Sequence, residues 1–320
     1  MEALLVKKIP VGKEWQYEPK WDGFRCIAFR DGKAVELQSK SGQSLARYFP
    51  EIVEAILKVD ATRFVIDGEL IITVKGEPSF DDLLQRIHPA ASRVTKLSRQ
   101  TPARLIVFDL LVDEPGKPIF DQPLLKRRKK LESFAKKYLA KHASIELSPE
   151  TPVASMALKW LSDPNVRLDG VIAKRVDLPY RSGERDGMQK VKNLRTADCV
   201  IGGFRYASNS KIVGSLLLGL YDDEGLLHHV GFTSSFSAAE KKELTTKLKA
   251  LIKPPGFTGN KPGGPSRWST KKTSEWEPLA TKLVAEVQYD HFTGGRFRHG
   301  TRFLRWRPDK KPKQCGFDQL

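Results

Sequence analysis

The chain has 320 residues, with 55 Lys and Arg against 38 Asp and Glu, and a formal net charge of +17. That length can bury one large core or two modest ones and favours two domains; the charge favours a polyanionic partner, nucleic acid first, over a generally basic soluble surface. Three scattered cysteines, Cys26, Cys199 and Cys315, with no CxxC pair and no apolar run long enough to span a bilayer, argue against a disulfide framework, a zinc site and a membrane segment, so a cytoplasmic protein is expected.

In chain order, "WQYEPKWDGFRCIAFRDGKAVEL" reads as two strands joined by the turn Asp31-Gly32, with Lys20 in the loop that feeds the first. "SLARYFPEIVEAILKV" has helical apolar spacing at Leu45, Phe49, Ile52, Val53, Ile56 and Leu57. "RFVIDGELIITV" then reads as strand, tight turn, strand, and "SFDDLLQRI" as a short helix capped by Ser79 with Asp82 at its third position. "ARLIVFDLLV" is continuous enough for a buried strand, and "PLLKRRKKLESFAKKYLA" is an amphipathic helix with Pro123 near its start. A further helix, "PVASMALKWLS", leads into a strand, "LDGVIAKRV". Acids recur at strand edges, at Asp67, Glu69, Asp109 and Asp169, as in a mixed sheet that lines a cleft.

The composition changes after "MQKVKNLRTADC", near Asn193 to Ala197. The short strands "VIGGFRY", "VGSLLLGLY" and "LLHHVGF", the helix "SAAEKKELTTKLKALI", a Pro/Gly-rich loop and the strands "KLVAEVQYDHF" and "RFLRWRP" fit a small Greek-key barrel of the OB type. The expectation is an α+β protein with a mixed-sheet domain over 1–195 and an OB barrel over 196–320.

Lys20, in "EPKWDGFR", admits four roles: a solvated surface lysine, a phosphate clamp, a Schiff-base former or an amine nucleophile toward phosphorus. Glu18 shares its side of an extended segment, and Gly23 permits close approach of backbone or ligand. Lys190 and Lys192, alternate residues of "MQKVKN", would lower the Lys20 pKa and stabilise charge on a phosphate if they lay beside it. Alone, such a pair is commoner on a solvated strand face. Glu69 in "IDGEL" and Asp169 in "LDGV" are hard carboxylates suited to Mg²⁺ or Mn²⁺, although Asp-Gly is also a common turn signal. The run "KRRKK" reads as a solvated helix face, and His228 and His229 lack partners at metal-ligand spacing. Trp268 and Trp276, flanked by Arg267, Lys271 and Lys272, suit either a nucleic-acid strand or a core.

Taken together, "EPKWDGFR", "SKSG", "IDGEL", "VFDLL", "DGVIAK", "KVK" and "RFLRWRPDK" stand in the order of the ATP-dependent DNA ligases, from about Glu14 to Gln314. The chain resembles the small bacterial ligases of the LigC type, within the covalent nucleotidyltransferases that also include RNA ligases and mRNA capping enzymes. The resemblance implies that Lys20 is adenylylated by ATP, that Glu18 meets the adenine amino group, and that Phe108 stacks on the base. It places Arg25 and Lys40 near the ribose and phosphates, Glu69 at the ribose or metal, Asp169 at the metal, and Lys190 and Lys192 at the α-phosphate. Arg305, Arg307, Asp309 and Lys310 match the block that closes over pyrophosphate. The implied partner is nicked double-stranded DNA, the implied role DNA repair, and the expected state a monomer. Two positions depart from the family: Lys40 stands where arginine is usual, and Asp169 is a methylene shorter than the usual glutamate. RNA ligation, guanylyl transfer, NAD-dependent ligation and non-catalytic nucleic-acid binding are the rival readings.

Overall fold

A computed structural model describes residues 1–162, 168–263 and 275–320 and divides into two compact units, Met1–Asn193 and Leu194–Leu320. Arg267, Trp268, Lys271 and Lys272, singled out above as candidate nucleic-acid contacts, lie outside the described residues.

The first unit contains two sheets. Its strands are β1 (Leu4–Leu5), β2 (Trp15–Lys20), β3 (Phe24–Asp31), β4 (Ala34–Ser39), β5 (Arg63–Ile71), the small hairpin of β6 (Thr73–Val74) and β7 (Glu77–Pro78), β8 (Arg104–Asp113), β9 (Lys117–Pro118), β10 (Ile145–Leu147), β11 (Gly170–Arg175) and β12 (Met188–Lys192). One sheet has the order β1-β12-β11-β2; the larger runs β10-β8-β5-β3-β4, with β9 beside β8. Its helices are α1 (Pro50–Leu57), α2 (Phe80–Gln85), α3 (Ala91–Gln100), α4 (Leu124–Phe134) and α5 (Ala154–Ser162).

Alternation explains both faces of the smaller sheet. Trp15 and Tyr17 on β2, with Val171 and Ala173 on β11, point to one side and form an apolar cluster with Ala157 of α5. The residues between them must therefore face the other way. The larger sheet packs its apolar side on α1, where Phe49, Ile52, Ile56, Phe64 and Ile66 are fully buried; each such side chain contributes about 1.5–3 kcal/mol by leaving water.

Four local expectations are corrected. Lys20 ends strand β2 and does not lie in a loop; β2 is an edge strand, where Pro19 can sit without costing the sheet a hydrogen bond. Asp67-Gly68 is not a turn, because β5 runs straight through it with a register shift. A Cβ at Gly68 would stand 2.6 Å from the Ile106 carbonyl, so this glycine permits close strand approach. Helix α1 begins at Pro50, after a separate 3-10 turn over Ala46–Tyr48, because proline's fixed φ suits the first helical position. Helix α3 went unanticipated; its N-cap, Ala90, makes no side-chain capping bond.

Ser79 accepts a hydrogen bond from the Asp82 amide at 3.3 Å, as its spacing predicts. The basic run "KRRKK" is only partly a solvated face: Arg127 and Arg128 are buried, Arg127 against Asp109 and Arg128 against Glu132 and the Ser148 carbonyl.

The second unit is built on a six-strand antiparallel sheet in which β13 (Arg195–Tyr206), β14 (Val213–Tyr221), β15 (Leu227–Thr233), β17 (Val284–Tyr289) and β20 (Arg302–Trp306) follow the order β15-β14-β13-β17-β20, with a short sixth strand beside β13. Shorter strands β16 (Glu277–Pro278), β18 (Phe292–Thr293) and β19 (Arg296–Phe297) lie between, and α6 (Ala238–Lys249) carries a capping box built by Ser237 and Glu240. A parallel bridge from Thr233 to Thr301 brings the outer strands together, as barrel closure requires. His228 is tied to Asp222 at 2.5 Å, and Trp276 packs edge-on to Phe257.

Candidate active site

Strand register assembles the site. Across the smaller sheet, Glu18 pairs with Ile172 and Ile172 with Lys190; one step on, Lys20 pairs with Gly170 and Gly170 with Lys192. Residues two apart share a face, so Gln16, Glu18 and Lys20 stand beside Lys174, Ile172 and Gly170, and then Met188, Lys190 and Lys192, on the side opposite the α5 cluster. Gly170 separates two lysines with no side chain of its own. Its φ is +152°, and a Cβ there would lie 2.0 Å from the Val191 carbonyl, so glycine is required.

From this face Glu18, Lys20, Ile172, Lys174, Met188 and Lys190, but not Lys192, line a pocket of about 390 Å³ together with Trp21, Arg25, Lys40, Glu69, Phe108 and Arg185. The expected residues Glu18, Lys20, Arg25, Lys40, Glu69, Phe108 and Lys190 therefore meet in one cavity. Asp169 joins them by direct contact, its carboxylate accepting from Lys20 Nζ. Burial lowers the Lys20 pKa, with Lys192 and Lys190 pushing the same way against the pull of Glu69 and Asp22. Lys190 is itself lowered by burial and by Lys192, Lys40 and Arg185.

On the larger sheet Arg25 pairs with Glu69 in register, and its guanidinium grips Asp67 through Nε at 2.8 Å and Nη2 at 2.5 Å. Tyr180 donates to the same carboxylate at 2.8 Å. Burial would raise the Asp67 pKa, but Arg25 and Tyr180 outweigh it and hold the carboxyl below its usual range. Arg25 is thus a fixed cation in the pocket wall. Lys40 is two-thirds exposed and forms an ion pair with Glu2 at 3.0 Å.

Glu69 behaves in the opposite way. Burial pushes its carboxyl up to about 7, against the pull of Arg25 and Lys20. Since the neutral form is favoured in the fold, the stability from this group is full below about 4.5 and is lost as pH rises through about 7. Glu69→Gln should therefore stabilise the ligand-free protein at about pH 8 by on the order of 2–3 kcal/mol and flatten the pH dependence across that window. Urea unfolding at several pH values measures both effects.

Lys174, Gln16 and Tyr180 have no role in the sequence reading, and Asp67 stands there only as one of the acids that line a cleft. Lys174 and Gln16 both bond to Glu18, and Asp67 and Tyr180 hold Arg25. Gln16 carries a signal, since it lies two residues from Glu18 on an alternating strand, whereas Lys174 is set beside Glu18 only by the register of β11 on β2. Asp67 is marked as a strand-edge acid, but nothing local marks its partner Tyr180, 113 positions away.

Arg305, Arg307, Asp309 and Lys310 belong to the second unit. Arg305 pairs with Glu286 at 2.6 Å. Arg307 bridges Asp198 at 3.0 Å and Asp309 at 2.8 Å, and Lys310 also reaches Asp198 at 2.8 Å. The Asp309 carboxyl is held down at about 2 by its bonds from Arg307.

A lysine in contact with Asp169, two further lysines across the sheet and an aromatic wall are the groups that covalent nucleotidyl transfer would use. Residues 4–192 match the family model of the ATP dependent DNA ligase domain, and residues 209–310 match that of the ATP dependent DNA ligase C terminal region. The chain belongs to the ATP-dependent DNA ligase family and is of the small LigC type. It is 43% identical to DNA ligase C1 of Mycolicibacterium smegmatis over 96% of its own length and 88% of that protein, and 42% identical to DNA ligase C of Mycobacterium tuberculosis over 100% and 92%. Among solved structures it resembles mycobacterial DNA ligase D complexed with ATP (TM-score 0.50, 27% identity, 98% and 97% covered). A Lig E DNA ligase shares the fold (TM-score 0.58, 17% identity, 96% and 100% covered).

Proposed function

We propose that the chain is an ATP-dependent DNA ligase that seals nicks through a lysyl-AMP intermediate at Lys20, and the observation that carries this is the lowered Lys20 amine between Asp169 and the Lys190–Lys192 strand. Lys20 Nζ gives its lone pair to the α-phosphorus of ATP, the bond to pyrophosphate breaks, and the amine proton passes toward Asp169. The 5′-phosphate of the nick then takes AMP from Lys20, and the 3′-hydroxyl displaces AMP to close the strand. Lys190 and Lys192 stabilise the negative charge at the α-phosphate. Glu18 meets the adenine amino group, Phe108 stacks on the base, and Arg25 and Lys40 face the ribose and phosphates.

The donor set fits a divalent cation: Glu69 and Asp169 are hard carboxylates facing the same lysine, and burial of Glu69 makes its ionised form costly unless a cation offsets it. Mg²⁺ or Mn²⁺ there would neutralise phosphate charge. Without it, Lys20 and Arg25 are the cations beside Glu69.

Arg305, Arg307, Asp309 and Lys310 serve the pyrophosphate end of ATP in the first step. Pyrophosphate is absent from sealing, so Arg305→Ala and Lys310→Ala should slow adenylylation by about tenfold or more yet leave closure of a pre-adenylylated nick much less affected. Equal slowing of both steps would assign these residues to DNA grip.

The partner is nicked duplex DNA, bound by a monomer with no zinc, in the cytoplasm and in DNA repair. No helix among the described residues is long and apolar enough to cross a membrane. If Arg296, Arg298 and Arg302 touch DNA phosphates, log affinity should fall against log salt with a slope of about −0.9 per phosphate neutralised. The functional test is sealing of nicked DNA and RNA duplexes with ATP, GTP or NAD. ATP with DNA should support closure; sealing confined to RNA, or dependence on GTP or NAD, would overturn the reading.

A further inference from the structure

Glu18 is 2% exposed, and both of its carboxylate oxygens are held. Gln16 Nε2 donates to Oε1 at 2.9 Å and Lys174 Nζ donates to Oε2 at 2.6 Å. Gln16 and Lys174 face one another across the β2–β11 register, one step from the Glu18–Ile172 pair, so the sheet fixes all three side chains. Lys174 is also buried, and its Nζ stands 4.3 Å from the centroid of the Phe108 ring. One cation therefore touches both the carboxylate and the aromatic wall of the same pocket.

We propose that Lys174, seconded by Gln16, is a positioning residue that aims Glu18 at the 6-amino group of adenine and thereby sets the choice of nucleotide. The inference rests on the reading that Glu18 meets that group. A buried carboxylate needs a countercharge and fixed donors to keep one orientation, and Lys174 and Gln16 supply these while leaving further lone pairs for a donor from the base. Guanine and hypoxanthine carry an acceptor oxygen at this position, which an oriented carboxylate repels. Purine itself offers neither donor nor acceptor there, so it isolates the contribution of the amino group. Lys174 acts through Glu18 and through its packing on Phe108, and not on the phosphates.

The test uses the full chain and compares two nucleotides, ATP and purine riboside triphosphate, which differ only in the 6-amino group. Both adenylylation rates and equilibrium binding of the corresponding unreactive α,β-methylene triphosphates are measured. Wild type should favour the adenine compound by roughly ten- to a hundredfold, the value of a hydrogen bond to a charged group. Lys174→Met should reduce that preference about tenfold, Lys174→Arg should restore part of it, and Gln16→Leu, which leaves the buried ion pair in place, should reduce it by about threefold. Equal losses for both nucleotides in Lys174→Met and Gln16→Leu, with the preference unchanged, would overturn the proposal and leave these residues a purely structural part. A wild type that bound and used the two nucleotides equally would overturn the placement of adenine at Glu18, and the inference with it. Failure to form any protein adduct with ATP would instead strike at the ligase reading.

Discussion

Lys20→Arg should abolish the protein-bound adduct formed from α-labelled ATP, by roughly 10⁴-fold or more, while the variant remains folded. The guanidinium keeps a positive charge beside Asp169, whose carboxylate is buried and paired with Lys20 in the parent protein. It does not lose its proton in the accessible pH range and so offers no lone pair to phosphorus. Charge is retained and nucleophilicity is lost. Sealing of a chemically pre-adenylylated nick, which needs no attack by residue 20, should suffer far less. Persistence of acid-labile, base-stable label on Lys20→Arg would remove Lys20 from the reaction.

The second large effect is on folding. Arg127 is 1% exposed and binds both oxygens of Asp109 at 2.8 Å, with further bonds from Nη1 to the Gln122 and Leu178 carbonyls. The pair joins α4 to β8, immediately beside Phe108 of the pocket. Arg127→Met leaves a buried carboxylate and two carbonyls without this partner, a change that costs about 3–5 kcal/mol. For a unit of this size the melting temperature should fall by on the order of 10 °C. Arg127→Met combined with Asp109→Leu should recover much of the loss, since two apolar groups leave no stranded charge. Additive losses in the double variant would show that shape, and not the ion pair, carries the stability.

Most strands were legible as apolar runs bounded by turn residues, and the alternate lysines of "MQKVK" share one face of their strand. The motif order was legible as well, and Glu18, Lys20, Glu69, Phe108 and Lys190 from those motifs line one pocket. Where local chemistry had two meanings, the reading erred. Asp67-Gly68 carries a turn signature, but tertiary packing uses the glycine for close contact with β8. Pro19 obscured the strand that ends at Lys20 because proline is a strand breaker everywhere except at an edge. Arg127 looked solvated within a basic run, since nothing local to α4 announces that Asp109 waits 18 positions away. Lys174 stands in "DGVIAK", but its meaning lies in its contact with Glu18 at a separation of 156 positions.

The most direct measurement follows a single labelled phosphate. The wild-type chain is incubated with α-labelled ATP and Mg²⁺ or Mn²⁺, the adduct is mapped to a peptide, and nicked DNA is then added. The account predicts label on the peptide that contains Lys20, its transfer to the 5′-phosphate of the nick, and its release as free AMP as the strand closes. Label on any other residue, or an adduct that nicked DNA cannot discharge, would contradict it.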